Sequence, residues 1–404
     1  MRAVFINHCH PDMPHICALR MRKFAHAFAT MGHQVVLLTE SLGDKPGSVS
    51  AENVSEEFDQ HDWSKPYYLS IKPIPDQTLS NLRVGKLGWL NRKSVIAWRY
   101  VFENGLYGDW RNGATPYLEP LSNTFQPDII WASFGNTSVW NIAQDLSKRA
   151  GCPWVADIKD NWQNFIPIGL RKLIASRFKS AAHMTSFSES HLAEANLWFT
   201  QNKTAIYSGF DDAVLRVKDV SKNEVYEVLL TGSIYDEEDF QAFINGLAQW
   251  LENRAQKNPV RFIYAGNDHQ RVRNGMQKLS GLCDIEIKDF MKIEDLLVAQ
   301  RRADINTYIR LLSRFHFHHK AIELMAAKKP ILCFPTEVDE TIEIIKRTSC
   351  VLYSCGSVAD VVQGFEAAYG NQVKQKNNSN LTGYSWQGQA KILEKILEDA
   401  KVSS

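Results

Sequence analysis

Residues 316–335 read HFHHKAIELMAAKKPILCFP, and the pattern of this stretch decides the fold class. A helix over 316–328 places Phe317, Ala321, Leu324 and Met325 on one apolar face by the i, i+4, i+7, i+8 spacing. The same spacing groups His316, Lys320 and Glu323 on a different face. Pro330 cannot continue a helix, and the apolar run Ile331–Phe334 then reads as a buried strand. A core-anchored helix that feeds a buried strand is the repeating half of an α/β domain. Taken alone, the cation and carboxylate three residues apart are as well explained by a surface ion pair as by a binding site.

The same alternation runs outward in both directions. Near the N-terminus, Ala3–His8 is a strand, Ile16–Met31 has helical periodicity through Leu19, Phe24, Ala27 and Phe28, and Gly32 closes that helix. Gln34–Thr39 is the next strand, which makes a right-handed βαβ unit and a parallel sheet. Its first loop lacks GxGxxG, so a dinucleotide site is not supported. Residues 41–82 are polar and irregular, with a strand-like piece at Tyr67–Ile71. Strands follow at Asp128–Ala132, Trp154–Asp157 and Ala182–Ser186, with helices at Val139–Ala150 and, capped by Ser188, Glu189–Trp198, and Thr204–Tyr207 then precedes Ser208-Gly209-Phe210-Asp211. The pattern restarts near residue 210. Strands are expected at Glu227–Leu230, Arg261–Ala265, Ile285–Lys288, Asp304–Tyr308 and Val351–Tyr353. Helices are expected over 238–253, Glu294–Arg301, 338–346, with Thr336 and Asp339 as a capping box, and Val358–Tyr369. A polar loop spans 370–383, and Trp386–Lys401 is an amphipathic helix. The expected domains are 1–210, 211–383, and a helix at 384–404 that packs back on the first domain.

The chain has 404 residues, more than one ordinary core supports, so two domains of about 200 residues each are expected. Hydrophobic content of 44% and charged content of 23% are those of a soluble globular protein. A net charge of +1 gives no polyelectrolyte signal for nucleic acid. The seven cysteines contain no CxxC and no metal-ligand spacing, which fits a reducing compartment. The N-terminus lacks the apolar core of a signal peptide, and no apolar run approaches the roughly 18 residues of a membrane span. A cytoplasmic protein is expected. Residues 83–119 stand apart, because Arg83, Lys86, Arg92, Lys93, Arg99 and Arg111 are interleaved with Trp89, Trp98, Tyr100, Phe102, Tyr107, Trp110 and Tyr117. That mixture suits an interface with anionic lipid headgroups. It equally suits a helical hairpin with buried tryptophans and solvated arginines. Single-stranded nucleic acid is a third reading with no other support.

Two features concern chemistry. Asp157 and Asp160 lie at or past the C-terminal end of a strand, the edge where open α/β sheets bind ligands. Gly232 ends another strand before a helix and lets the backbone approach a phosphate, although one glycine is weak evidence.

An N-terminal unit with Arg20, Gly32 and His33 is paired with a late unit K-x-x-E-L-x-A-x-x-K-P-I-L beginning at Lys320. Between them lie FQPDIIWAS (125–133), PWVADIKDNW (153–162), TSFSES (185–190), YSGFDD (207–212), LLTGSIY (229–235), YAGND (264–268) and ADINTYI (303–309). In this order they resemble the GT-B glycosyltransferases, and more narrowly the retaining, family 4-like enzymes of bacterial polysaccharide synthesis. The resemblance covers nearly the whole chain except 41–120. It implies two Rossmann-like domains facing each other across a cleft, with the acceptor on the first and a nucleotide diphosphate sugar on the second. It implies that Glu323 binds the ribose hydroxyls and that Lys320 contacts the diphosphate or the sugar. Gly232 and Ser233 form the diphosphate approach, and Gly266 and Asn267 lie where the base stacks. Arg310 and His316 join the donor side, and His10, Asp12 and Arg20 the acceptor side. Asp157 and Asp160 become the catalytic candidates.

Three departures from the family pattern stand out. Phe315 replaces a carboxylate, the run Tyr235–Asp239 replaces an Arg and a Lys, and Ser133 and Phe134 replace a histidine. The diphosphate charge then falls to Arg310, Arg314 or Lys320. No DxD motif supplies metal ligands, and neither metal nor cofactor is expected. If the reaction inverts, Asp157, Asp160 or Asp12 is the base; if it retains, the leaving phosphate takes that part. The expected acceptor is a glycan or lipid-linked glycan. A sugar-nucleotide epimerase and a non-catalytic nucleotide-sugar-binding protein remain as alternatives.

Overall fold

The computed structural model describes residues 1–43, 47–216, 225–254, 258–288, 291–311, 317–370 and 379–402. These form two compact units, Met1–Tyr207 joined by Trp386–Ser404, and Ser208–Ser385. The last helix therefore belongs to the first unit.

That unit is built on seven strands: β1 Arg2–Ile6, β2 Gln34–Glu40, β3 Tyr67–Ile71, β4 Ile129–Ser133, β5 Trp154–Ile158, β6 His183–Ser186 and β7 Lys203–Ala205. Their order is β3-β2-β1-β4-β5-β6-β7, and every pairing is parallel. Period-two alternation divides the apolar residues between two faces. Val4, Ile6, Val36, Leu38, Ile130 and Ala132 pack on one side with Trp110, Trp140 and Trp154. Ala3, Phe5, Val35, Leu37, Ile129 and Trp131 pack on the other with Phe24, Phe28 and the helix Trp386–Val402. Trp386, Leu393 and Leu397 of that helix are buried there, at about 1.5–3 kcal/mol for each fully buried large side chain. Polar contacts fix its register: Gln389 accepts from the Tyr207 N–H at 2.8 Å, and Glu394 meets His33 Nε2 at 2.5 Å. Gly32 turns the chain into β2 at φ +89°, a conformation glycine adopts without strain.

The second unit has β8 Tyr226–Thr231, β9 Val260–Ala265, β10 Asp284–Lys288, β11 Ile305–Ile309, β12 Ile331–Phe334 and β13 Leu352–Ser354. Their order is β10-β9-β8-β11-β12-β13, again all parallel. Helices Glu237–Asn253 and Val358–Gly370 cover one face, where Trp250 stacks on Phe365 with centroids 5.2 Å apart. In each sheet the winding reverses beside the first strand, at β1/β4 and at β8/β11. The strand ends there are where doubly wound sheets take ligands.

Some expectations need correction. The helix expected over 316–328 is Lys320–Met325; Ala326–Lys328 form a turn, and Lys328 at φ +53° ends the helical run before Pro330. Arg314, Phe315 and His316 lie outside the described residues. The Thr336–Asp339 capping box does not form. The helix Asp339–Arg347 starts after Val338, whose N–H goes to Glu337 Oε2 at 2.9 Å, while Asp339 and Glu340 favour its first turn electrostatically.

The basic and aromatic stretch is divided. Tyr100 and Trp110 are buried, and Arg83, Arg99 and Arg111 are not simply solvated. They pair with Asp109, with Asp76 and Glu103, and with Asp145. The helix Trp89–Phe102 nevertheless leaves Trp89 66%, Leu90 68%, Trp98 51% and Phe102 70% exposed. No helix among the described residues is long and apolar enough to cross a membrane.

Candidate functional site

In the second unit the site grows from the ends of β8 and β9. Gly232 leaves β8 at φ +104°, where a side chain would be strained. Its N–H donates to the Ala265 carbonyl at 3.1 Å, and its own carbonyl accepts from the Tyr264 hydroxyl at 2.9 Å. A Cβ on Gly266 would lie 2.3 Å from both the Gly232 oxygen and Tyr264 Oη, so the two loops meet only because Gly266 has none. Ser233 and Asn267 are exposed beside them.

Lys320 reaches this loop pair. A Cβ on Gly232 would have Lys320 Cε as its neighbour, at 3.6 Å. Lys320 Nζ donates to Glu323 Oε2 at 2.8 Å, and Gln300 Nε2 donates to Oε1 at 3.0 Å. Both charged side chains keep 19% of their surface exposed. Burial pushes the Glu323 carboxyl upward, but the charge of Lys320, with His319 and the two hydrogen bonds, carries it below the usual carboxylate range. Glu323 is thus a fixed, ionised acceptor with surface to offer.

His318 stacks on Tyr308 with centroids 5.9 Å apart and planes 11° apart. Burial, helped by Lys320, lowers its pKa to about 3, so the ring is neutral. Its Nδ1 accepts from the Lys320 N–H at 3.3 Å, which leaves the ring proton on Nε2 as a donor. Arg310 is 4% exposed, and its charge acts on His318 and Asp239. The acidic run 236–239 starts the helix Glu237–Asn253, where Asp236 accepts from the Glu238 and Asp239 N–H groups at 2.8 and 3.0 Å. That helix start is therefore already occupied by carboxylates.

In the first unit the predicted residues separate into two groups. Arg20 and Asp157 form one wholly buried ion pair, with Nη2 to Oδ1 at 3.1 Å and both side chains 0% exposed. Ser133 and Thr185 donate to Asp157 at 2.7 Å each, and Arg20 lies over the rings of Phe24 and Trp131. Asp157 has no exposed oxygen to offer a substrate. Asp160 differs, being 36% exposed and held by Lys159 Nζ at 3.1 Å from each carboxylate oxygen. Asp12 is 54% exposed, and its backbone N–H donates to His10 Nδ1 at 3.1 Å.

Sequence reading missed Gln300, Tyr264, His318 and Glu337. Glu337 is buried and accepts from the Tyr308 hydroxyl at 2.6 Å, which steadies the ring under His318. Gln300 sits in the last turn of an amphipathic helix, where a glutamine carries no signal of its own. His318, by contrast, stands two residues from Lys320 in a histidine-rich run and was within reach of inspection.

No protein-family model and no curated protein matches this sequence. Solved structures do match in fold. A glycosyltransferase from Rickettsia africae superposes with a TM-score of 0.64 at 11% identity, covering 100% of this chain and 99% of that one. HepE from Anabaena, in complex with UDP-glucose, gives 0.58 at 12% identity, covering 99% and 100%. The N-terminal domain of Candida albicans trehalose-6-phosphate phosphatase gives 0.65 at 10% identity, covering 99% and 97%. The chain thus has the two-domain α/β fold of these proteins, the GT-B fold.

Proposed function

We propose that this chain is a glycosyltransferase that moves a hexose from a nucleotide diphosphate sugar to a glycan or lipid-linked glycan acceptor, in bacterial surface polysaccharide synthesis. One observation carries the reading. At the switch point of the second sheet, an ionised and partly exposed Glu323 is fixed by Lys320 and Gln300 beside a loop that only glycine can form. A carboxylate accepts from two vicinal hydroxyls well, which suits the ribose. Lys320 and Arg310 supply the charge for a leaving diphosphate, so the donor side needs no metal there. His318 Nε2–H offers a neutral donor to a phosphate or sugar oxygen. The Gly232–Ser233 and Gly266–Asn267 loops leave backbone open to the diphosphate and the base. The fold shared with HepE, solved with UDP-glucose, supports the same donor class.

On the first unit, Asp160 is the carboxylate with a surface to offer, and it is the base if the reaction inverts. Asp157 and Arg20 act beneath it by holding the ends of β4, β5 and β6. His10 and Asp12 flank the acceptor. The helix Trp89–Phe102, which exposes Trp89, Leu90, Trp98 and Phe102 around its circumference and carries Arg92 and Lys93, is a surface for anionic lipid where a lipid-linked acceptor resides.

A thermal-shift screen of nucleotide diphosphate sugars tests the donor reading. One donor should raise the melting temperature in a concentration-dependent way, because it binds only the folded state. Indifference to every nucleotide sugar would remove the proposal.

A further inference from the structure

The loop after β1 reads His8-Cys9-His10 and, a few residues on, His15-Ile-Cys17. Linear spacing does not connect these residues, but the fold does. One ligand atom each of Cys9, His15 and Cys17 lies within 4.8 Å of the others. His8 Nε2 lies 3.3 Å from Cys9 Sγ, at the edge of this group of three. The backbone holds the cluster from behind, since Asn7 Nδ2 donates to the carbonyls of both Cys9 and Cys17 at 3.3 Å. The His8 ring is held by shape: a Cβ on Gly135, just after β4, would lie 1.9 Å from its Cε1. His8 Nδ1 is buried with no hydrogen-bond partner among the described residues.

We infer that Cys9, Cys17 and His15 form a three-ligand binding site for a thiophilic divalent cation, Zn2+ by the softness of the ligands. Two thiols and one imidazole supply three ligands of a tetrahedral site and leave the fourth position to water. Cys9 and Cys17 are buried while His15 is exposed, which provides an entry path. The cation replaces the thiol protons, which leave to solvent, and each sulfur then donates an electron pair to the metal. Lys159 opposes binding, because its ammonium lies against Cys17. Its second partner, Asp160, already takes it through both oxygens at 3.1 Å, so the ammonium has a place to go. The ion would tie the loop after β1 to the start of the helix Ile16–Thr30, directly beside Lys159 and Asp160. The site lies wholly within the first unit and stands or falls independently of the donor reading.

Cobalt provides the test on the full-length protein, reduced and freed of metal. Co2+ should bind one per chain and produce the visible bands of tetrahedral cobalt with a thiolate charge-transfer band. C9S and C17S should each lose the charge-transfer intensity, H15A should weaken the affinity at least tenfold, and C283S should behave as wild type. Zn2+ should raise the melting temperature of wild type and not of C17S. Melting curves taken without metal show whether each variant is folded, so lost binding is separable from lost structure. The inference is overturned if folded wild type gives no charge-transfer band, or if the band survives in C9S and C17S. It is equally overturned if Zn2+ shifts C17S as much as wild type.

Discussion

The two units each contain a cation–carboxylate pair near the carboxyl ends of their strands, and the pairs are built differently. Arg20–Asp157 has no exposed surface, and Ser133 and Thr185 each add a hydrogen bond to the carboxylate. Lys320–Glu323 is linked through one strong contact, backed by Gln300, and keeps 19% of each side chain open. A wholly buried pair has nothing to give a ligand and much to lose when broken. A partly open pair costs little to change but can exchange partners. The contrast separates a residue that holds a site from a residue that binds.

Breaking the first pair should have the largest effect. D157N or R20M leaves one buried group unpaired and should destabilise the protein by about 3–5 kcal/mol in denaturant melts. A small change would mean the pair is less buried than its geometry implies. Acid should act next. His318 has a pKa of about 3 in the folded protein against 6.5 unfolded, so the unfolded chain binds the proton first. Its contribution is complete above pH 6.5 and is lost as pH falls toward 3. H318Q should flatten that acid limb, and an unchanged limb would contradict a neutral ring.

E323Q sharpens the comparison from the other side. It should change stability by no more than about 1 kcal/mol, as expected for an i, i+3 pair near the surface. It should weaken donor binding by about 1.5–3 kcal/mol, the worth of hydrogen bonds to a charged group. Smallest in stability is the exposed helix. W89S with F102S should move the melt by less than about 0.5 kcal/mol yet abolish sedimentation with vesicles of anionic lipid. Retained sedimentation would take the lipid surface away from this helix.

Much of this architecture was legible in sequence because parallel strands are apolar on both faces. The β3 and β12 boundaries could be read directly, as could the turn at Gly32 and the Ser188 cap, whose hydroxyl accepts from the His191 N–H. The pairing of Lys320 with Glu323 followed from helical spacing alone. What escaped depends on chain segments far apart. Gln300 reaches Glu323 across 23 residues, and Tyr308 reaches Glu337 across 29. Asp157 looked like Asp160 by position, yet one points into the core and the other to the surface. Asp157 lies within β5, where Ser133 of β4 and Thr185 of β6 enclose it, and Asp160 lies past the strand's end. The short helix Lys320–Met325 and the absent Thr336 cap show the limit of local rules, since Lys328 and Glu337 settle those ends instead.

The central claim is that Glu323 is a donor-binding carboxylate and not only the partner of Lys320. Titration calorimetry of wild type and E323Q with the best nucleotide diphosphate sugar from the thermal screen tests it most directly. The account predicts at least a tenfold weaker Kd for E323Q at a nearly unchanged melting temperature. Equal affinity in the two proteins would contradict it.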